Sequence, residues 1–238
     1  VFKLRKDVTW HDGRKFTARD VVFTVDYLQK NRYQWVDVSI VARAEAPDDY
    51  TVKLVLARPH APFMNNFAAT VPIIPEHVWQ GVTQPEQFTD KRAAIGTGPY
   101  KLVERQADRY IRFQRFEEYS ALPGAPHGYG GHKYQYLDEI QFIPVPDEAA
   151  RVAGLQAGDY HYAMNIGNDQ YEILKDAPGI VAEIMHPTNW DVIFLNWKSP
   201  LMSNQAMREA FRAALDHKPM LLAAWGSEEF IRLDPGLM

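Results

Sequence analysis

The sequence has no cysteine among its 238 residues, which excludes a disulfide framework, thiolate chemistry and any cysteine-ligated metal site. It has no run near the roughly 18 apolar residues that a membrane-spanning helix requires. Neither sign of charge dominates: 26 Lys and Arg stand against 30 Asp and Glu, for a net charge of −4. The basic residues are scattered, so no cationic face for nucleic acid is expected. Of the 8 histidines none forms an i, i+4 pair, and no His-Glu-x-x-His occurs, which removes the helix-borne zinc signature. His127 and His132 share one loop and read as solvated histidines rather than metal ligands. The acidic pairs Glu117-Glu118 and Glu228-Glu229 read as solvated faces, and nothing singles out two carboxylates for glycoside chemistry. No metal or cofactor is expected. Also missing at the start is a charged segment followed by an apolar one. "VFKLRKDVTW" reads as though entered midway along a strand, so the chain is expected to be a piece of a longer protein.

What is present is an ordinary globular composition, 46% hydrophobic and 24% charged, with an aromatic content of 13% that suits a ring-lined ligand cleft. "VFKLRKDVTWHDG" alternates apolar and charged residues as a half-buried strand does, and Asp12-Gly13 signals a turn after it. Thr17 and Asp20 have the spacing of a capping box before a helix to about Lys30, with Val21, Val22, Val25 and Leu28 as its buried stripe. "DDYTVKLVLAR" alternates again, placing Tyr50, Val52, Leu54 and Leu56 on one face. "HAPFMNNFAAT" reads as a short helix with Pro62 in its first turn.

"YKLVERQADRYIRFQRF" reads as a hairpin and "ALPGAPHGYGGHK" as a glycine- and proline-rich loop. "YLDEIQFIPV" is expected to be a strand and "DEAARVAGLQAG" a helix stopped by Gly158. "DYHYAMNI" is expected to be a short strand, "NDQYEILKD" a helix, and "WDVIFLNW" a buried strand. "SNQAMREAFRAALD" reads as a helix capped by Ser203 or Asn204. Strands and helices mix without strict alternation, which indicates mixed α/β content rather than a simple doubly wound sheet.

"IGTGPYKL", Ile95 to Leu102, is the stretch most suggestive of chemistry. A phosphate-binding loop needs a Lys-Ser/Thr pair at the mouth of a helix, but here Pro99 removes an amide and a strand follows. A nucleophile elbow needs Gly-x-Ser-x-Gly between strand and helix, and Thr97 is not so placed. A bend is left, in which Gly96 and Gly98 supply permissive dihedrals and Pro99 fixes one. Trp190-Asp191, at the mouth of an apolar strand, either presents polar and aromatic groups to a cleft or simply covers a sheet edge.

"FKLRKDVTWHDGRKFTARDVVFTV" resembles the signature F-x-L-R-x-x-V-x-W-x-D-G-x-x-F-T-A-x-D-V-V-F-T of family 5 extracellular solute-binding proteins. These are the oligopeptide, dipeptide and nickel receptors of bacterial ABC importers. "IGTGPYKL", "YLDEIQFIPVPDEAARVAGLQAGDY" and "FLNWKSPLMSNQAMREAFRAALDHKPM" are similar to further blocks of that family, in its order, across nearly the whole chain. His161 departs from the pattern, standing where the family usually has Asp.

The resemblance implies a two-lobe fold of the periplasmic-binding-protein type II kind, incomplete in this chain. Residues 1–90 would be an additional subdomain of the first lobe, residues 91–196 part of the first ligand-binding lobe, and residues 197–238 the start of the second. It implies a monomeric receptor, periplasmic or membrane-anchored on the outer face, that closes on a small solute and hands it to ABC permease subunits without making or breaking a bond. A short peptide is the expected ligand; a nickel chelate, an opine or an oligosaccharide stays open. The family's ligand-facing aromatics on the strand crossing between lobes map onto Trp190 and Asp191, with Asn196 in the matching Asn position. Two other classes remain as alternatives: the sensor domain of a transcription regulator, and a hydrolase whose catalytic residues lie outside this segment.

Overall fold

The computed structural model describes residues 1–31, 36–128, 130–185 and 191–233. The chain divides into two compact units, Val1–Pro144 and Val145–Met238.

In the first unit, β1 (Phe2–Lys3), β2 (Val41–Asp48) and β3 (Thr51–Leu56) form an antiparallel sheet in the order β1-β3-β2. Helix α1 (Ala18–Lys30) packs on it. The expected alternating strand at the chain start shrinks to β1, because the chain turns away after Lys3. Thr9 and Lys15 then bridge across a tight turn in which Gly13 takes φ +85°. A positive φ of this kind favours glycine, as the Asp12-Gly13 signal anticipated.

Helix α1 starts and ends where capping predicts: Asp20 reaches back to accept from the Thr17 amide at 2.9 Å, and the helix stops at Lys30. Its buried face carries Val21, Val25 and Leu28 as expected, but Val22 is only half-buried, and Thr24 and Tyr27 take its place inside. Ala18 and Val21 meet Val52, while Val25 meets Val41 and Phe63 of α2 (Phe63–Thr70). Each fully buried valine among them contributes about 1.5 kcal/mol or more.

Within this apolar core sits a polar knot. Asp20 Oδ1 accepts from the Glu76 amide at 3.0 Å, and its Oδ2 accepts from the Trp10 indole at 3.3 Å. Thr24 Oγ1 donates to the Asp20 carbonyl and accepts from the Ile74 amide at 3.0 Å. Buried polar groups persist only when paired in this way. These bonds bring residues 74–76, and so α3 (Glu76–Trp79), onto α1.

A second antiparallel sheet, in the order β4-β5-β8, follows from β4 (Tyr100–Gln106), β5 (Tyr110–Arg115) and β8 (Glu139–Phe142). The β4–β5 hairpin turns at Asp108, whose φ of +58° suits a short polar side chain. Arg112 ties the three strands, bonding Glu104 at 3.0 Å and Glu139 at 2.9 Å. The glycine- and proline-rich loop between β5 and β8 contains a small ladder of β6 (Pro126–His127) with β7 (Gly130–Gly131).

In the second unit, α4 (Glu148–Ala157) is N-capped by Asp147, which accepts from the Ala150 amide at 2.7 Å. Gly158, at φ +83°, ends it as expected. Glu148 accepts from the Gly167 amide at 2.7 Å, tying the start of α4 to the start of α5 (Asn168–Leu174). Asn204, rather than Ser203, caps α6 (Gln205–Ala214), and α7 (His217–Trp225) follows.

Two expected strands do not form. Residues 159–166 of "DYHYAMNI" and residues 191–197 of "WDVIFLNW" are irregular, and Phe194 is 90% exposed. A strand requires a neighbour for its backbone groups, and among the described residues no strand pairs with either segment. Apolar content alone does not supply one.

Candidate functional site

Of the three residues that the sequence points to for ligand contact, the two that the structure describes fall in or near an open cleft of the second unit. Its volume is about 1290 Å³. Val192, Ile193, Leu195 and Trp197 form one wall, Phe211 and Leu215 of the α6 region another, and Met220, Leu221 and Trp225 of α7 a third. The α6 sequence places its apolar residues at helical spacing, so one face turns toward the cleft while Arg208, Glu209 and Arg212 rim it.

Asp191 lines the cleft, and its Oδ2 accepts from the Trp225 indole N–H at 2.6 Å. Its Oδ1 takes no hydrogen bond from the described residues, which leaves one charged acceptor facing solvent beside an apolar wall. Asn196 instead closes a turn. Its Oδ1 accepts from the Lys198 amide at 3.0 Å, and its carbonyl accepts from the Ser199 amide at 3.0 Å. Trp190 lies outside the described residues.

Arg208 and Trp197 were not foreseen from the sequence. The Arg208 guanidinium sits 4.5 Å from the centre of the Trp197 ring, and its Nη1 donates to the Met202 and Ser203 carbonyls at 2.7 and 3.0 Å. Those carbonyl bonds orient the cation over the ring, an attraction worth about 0.5–1 kcal/mol at exposed sites. Trp225 was also missed, since its partner Asp191 lies 34 positions away.

The cleft can therefore bury apolar surface, accept a hydrogen bond or cation at Asp191, and meet negative charge at the arginine rim. Among the described residues no three His, Asp or Glu side chains gather as a metal site would require. His132 Nδ1 donates to the Leu122 carbonyl at 2.8 Å and its ring tilts on Tyr134 at 4.3 Å, so this loop histidine has a structural partner.

The "IGTGPY" bend is ordered by contacts the sequence did not reveal. Neither Gly96 nor Gly98 adopts a positive φ, so the permissive dihedrals expected of them are not used. The loop is instead held by His11, whose amide donates to the Gly96 carbonyl at 2.9 Å and whose ring bonds Gly96 and Gly98.

The model of the bacterial extracellular solute-binding proteins, family 5, matches residues 1–229. The oligopeptide-binding protein AppA of Bacillus subtilis is 28% identical over 228 residues, which cover 92% of this chain and 39% of that protein. The dipeptide-binding protein of Escherichia coli is 31% identical over 181 residues, 67% of this chain and 32% of that one. The crystal structure of the ABC transporter substrate-binding protein CtaP from Listeria monocytogenes superposes with a TM-score of 0.69 at 30% identity, covering 95% of this chain and 45% of that one. The chain thus spans less than half the length of these relatives, and its mixed α/β units are part of a type II periplasmic-binding-protein fold. With a family match running through both units, this chain belongs to the family 5 bacterial extracellular solute-binding proteins.

Proposed function

We propose that the protein to which this sequence belongs is the solute receptor of an ABC import system outside the cytoplasmic membrane. It captures a short peptide or a similar small polar solute and delivers it to the membrane permease. The observation that carries this reading is the family match across residues 1–229, joined to relatives named for oligopeptide and dipeptide binding. Binding and closure suffice for such delivery, and no bond is made or broken. Of the three site residues, Asp191 has the support of geometry, because its Oδ1, which takes no hydrogen bond from the described residues, stands beside an apolar wall and suits a solute ammonium group. Trp190 and Asn196 are proposed as its neighbours from the resemblance alone. Residues 1–90 are proposed as an additional subdomain, 91–196 as part of the first ligand-binding lobe and 197–238 as the start of the second.

Native mass spectrometry on the intact protein, freshly purified, tests the reading. A co-purified peptide released on denaturation is the expected result; a chelate, opine or sugar would keep the receptor and change the ligand. A ligand-free mass, with no thermal shift on adding peptides, nickel chelates or sugars, would refute transport and favour a sensor or a hydrolase.

A further inference from the structure

We propose that His11 is an acid-weakened clasp between the Trp10–Arg14 turn and the 95–99 loop, whose ring bond from the Gly96 amide is made only while the ring is neutral. The turn is a firm base: the Trp10 amide donates to the Arg14 carbonyl at 2.8 Å and the Gly13 amide to the Trp10 carbonyl at 2.8 Å. From it the His11 ring reaches the loop with both nitrogens. The Gly96 amide donates to Nδ1 at 3.2 Å, and Nε2 lies 3.0 Å from the Gly98 carbonyl. An amide can only donate and a carbonyl can only accept. The ring therefore carries its one proton on Nε2 and keeps a lone pair on Nδ1. No other tautomer satisfies both partners.

Protonation would place an N–H on Nδ1 directly against the Gly96 N–H, converting a hydrogen bond into an opposition of two donors. The far side of the loop is anchored independently. The Phe116 amide donates to the Pro99 carbonyl at 2.9 Å, and Gln135 Nε2 donates to the same carbonyl at 2.6 Å. Protonation would thus cost the loop the Gly96–Nδ1 bond alone, while the His11 amide stays on the Gly96 carbonyl, Nε2–H on the Gly98 carbonyl and Pro99 on the second sheet.

The surroundings favour the neutral ring. Burial pushes the His11 imidazole below its ordinary range, outweighing the Gly98 carbonyl, which favours the charged form. Phe116 packs against the ring at 5.0 Å. Lys101, which also lies over the Phe116 ring, opposes a second positive charge, whereas Asp12 favours one. Asp12 is itself occupied, accepting from His77 at 2.6 Å and from the Arg14 amide at 3.2 Å. Because burial lowers the folded value, the ring bond is present through the ordinary imidazole range and is lost only as the pH falls through the lower folded value. For a protein working outside the cytoplasm, acidification would then loosen the loop at Gly96, ahead of the anchored start of β4.

Hydrogen exchange of the peptide spanning residues 95–99, measured on the intact protein from pH 7.5 to 4.5 and corrected for intrinsic rates, tests the clasp. Selective labelling of histidine with nitrogen-15 reads the ring in the same samples. Protection of the Gly96 amide should fall as the pH drops from the ordinary imidazole range through the lower folded midpoint, and level off below it. Protection of the β4–β5 hairpin should stay constant. The His11→Asn side chain, which offers an acceptor and a donor but does not titrate, should make protection independent of pH over that range. If that variant does not fold, the ring spectrum of the parent decides: the Nε2–H form should convert with the same midpoint as the loss of Gly96 protection. Protection that does not change with pH, an equal fall in His11→Asn, or a ring that titrates apart from Gly96 would each overturn the clasp.

Discussion

Replacing Asp20 by alanine should destabilise the helix–sheet half of the first unit by about 3 kcal/mol. The carboxylate is 5% exposed and takes the Thr17 amide at 2.9 Å, the Glu76 amide at 3.0 Å and the Trp10 indole at 3.3 Å. Hydrogen bonds to a charged acceptor are worth about 1.5–3 kcal/mol each. They do not add in full here, because the Thr17 and Glu76 amides are half-buried and can recover water. Trp10, at 1% exposure, cannot, and its indole N–H would be stranded at a cost of about 1–3 kcal/mol.

The assay is native-state hydrogen exchange at α1 and β3, whose slowest amides report the opening of this core. A loss of about 3 kcal/mol corresponds to exchange faster by about a hundredfold. Asp20→Asn keeps one oxygen and should lie between the parent and Asp20→Ala. Asp26→Ala, on the exposed face of the same helix, should leave exchange within about twofold. If Asp20→Ala exchanged as slowly as Asp26→Ala, the carboxylate would not be holding the 74–76 segment to α1, and the reasoning would fail.

Gly154→Ala should destabilise α4 by about 1–3 kcal/mol in urea unfolding, because the new methyl would overlap the Tyr160 ring; adding Tyr160→Ala should remove most of that steric cost. Gly158→Ala meets no neighbour within 4 Å but must adopt φ +83°, and should cost about 1 kcal/mol through the backbone alone. For Asp12, burial pushes the carboxyl up, but the hydrogen bonds from His77 and the Arg14 amide outweigh it and hold the group below its ordinary value of 3.8. Its contribution to stability is thus present above that pH and lost as the pH falls through the folded value. His77→Ala should raise the Asp12 titration midpoint in carbon-13 NMR. Asp191→Asn should weaken binding of an amine-bearing solute by about tenfold or more, as loss of a charge-assisted bond requires. Calorimetry on the intact protein reads this, and unchanged affinity would remove Asp191 from the site.

Features set by neighbours in sequence were legible without a structure. The Thr17–Asp20 capping box, the Gly158 stop, the Asp12-Gly13 turn and the β4–β5 hairpin each depend on residues a few positions apart, whose conformational preferences act locally. The apolar face of α1 was readable for the same reason, up to the exchange of Val22 for Thr24. Thr24 enters the core with its hydroxyl paired both to the Asp20 carbonyl of its own helix and to the amide of Ile74, 50 positions away.

What the sequence determined by itself was therefore the elements with local rules, and the four spaced motif blocks that carried family membership. Tertiary structure alone decided which apolar runs find a strand partner, and residues 159–166 and 191–197 find none among the described residues. It also decided that Asp191 meets Trp225, that Asp20 serves Trp10 and Glu76 as well as its own helix, and that His11 orders a loop credited to its glycines. The physical reason is shared: a hydrogen bond needs its two groups within about 3 Å, and for partners 10 to 87 positions apart only the folded path of the chain sets that distance.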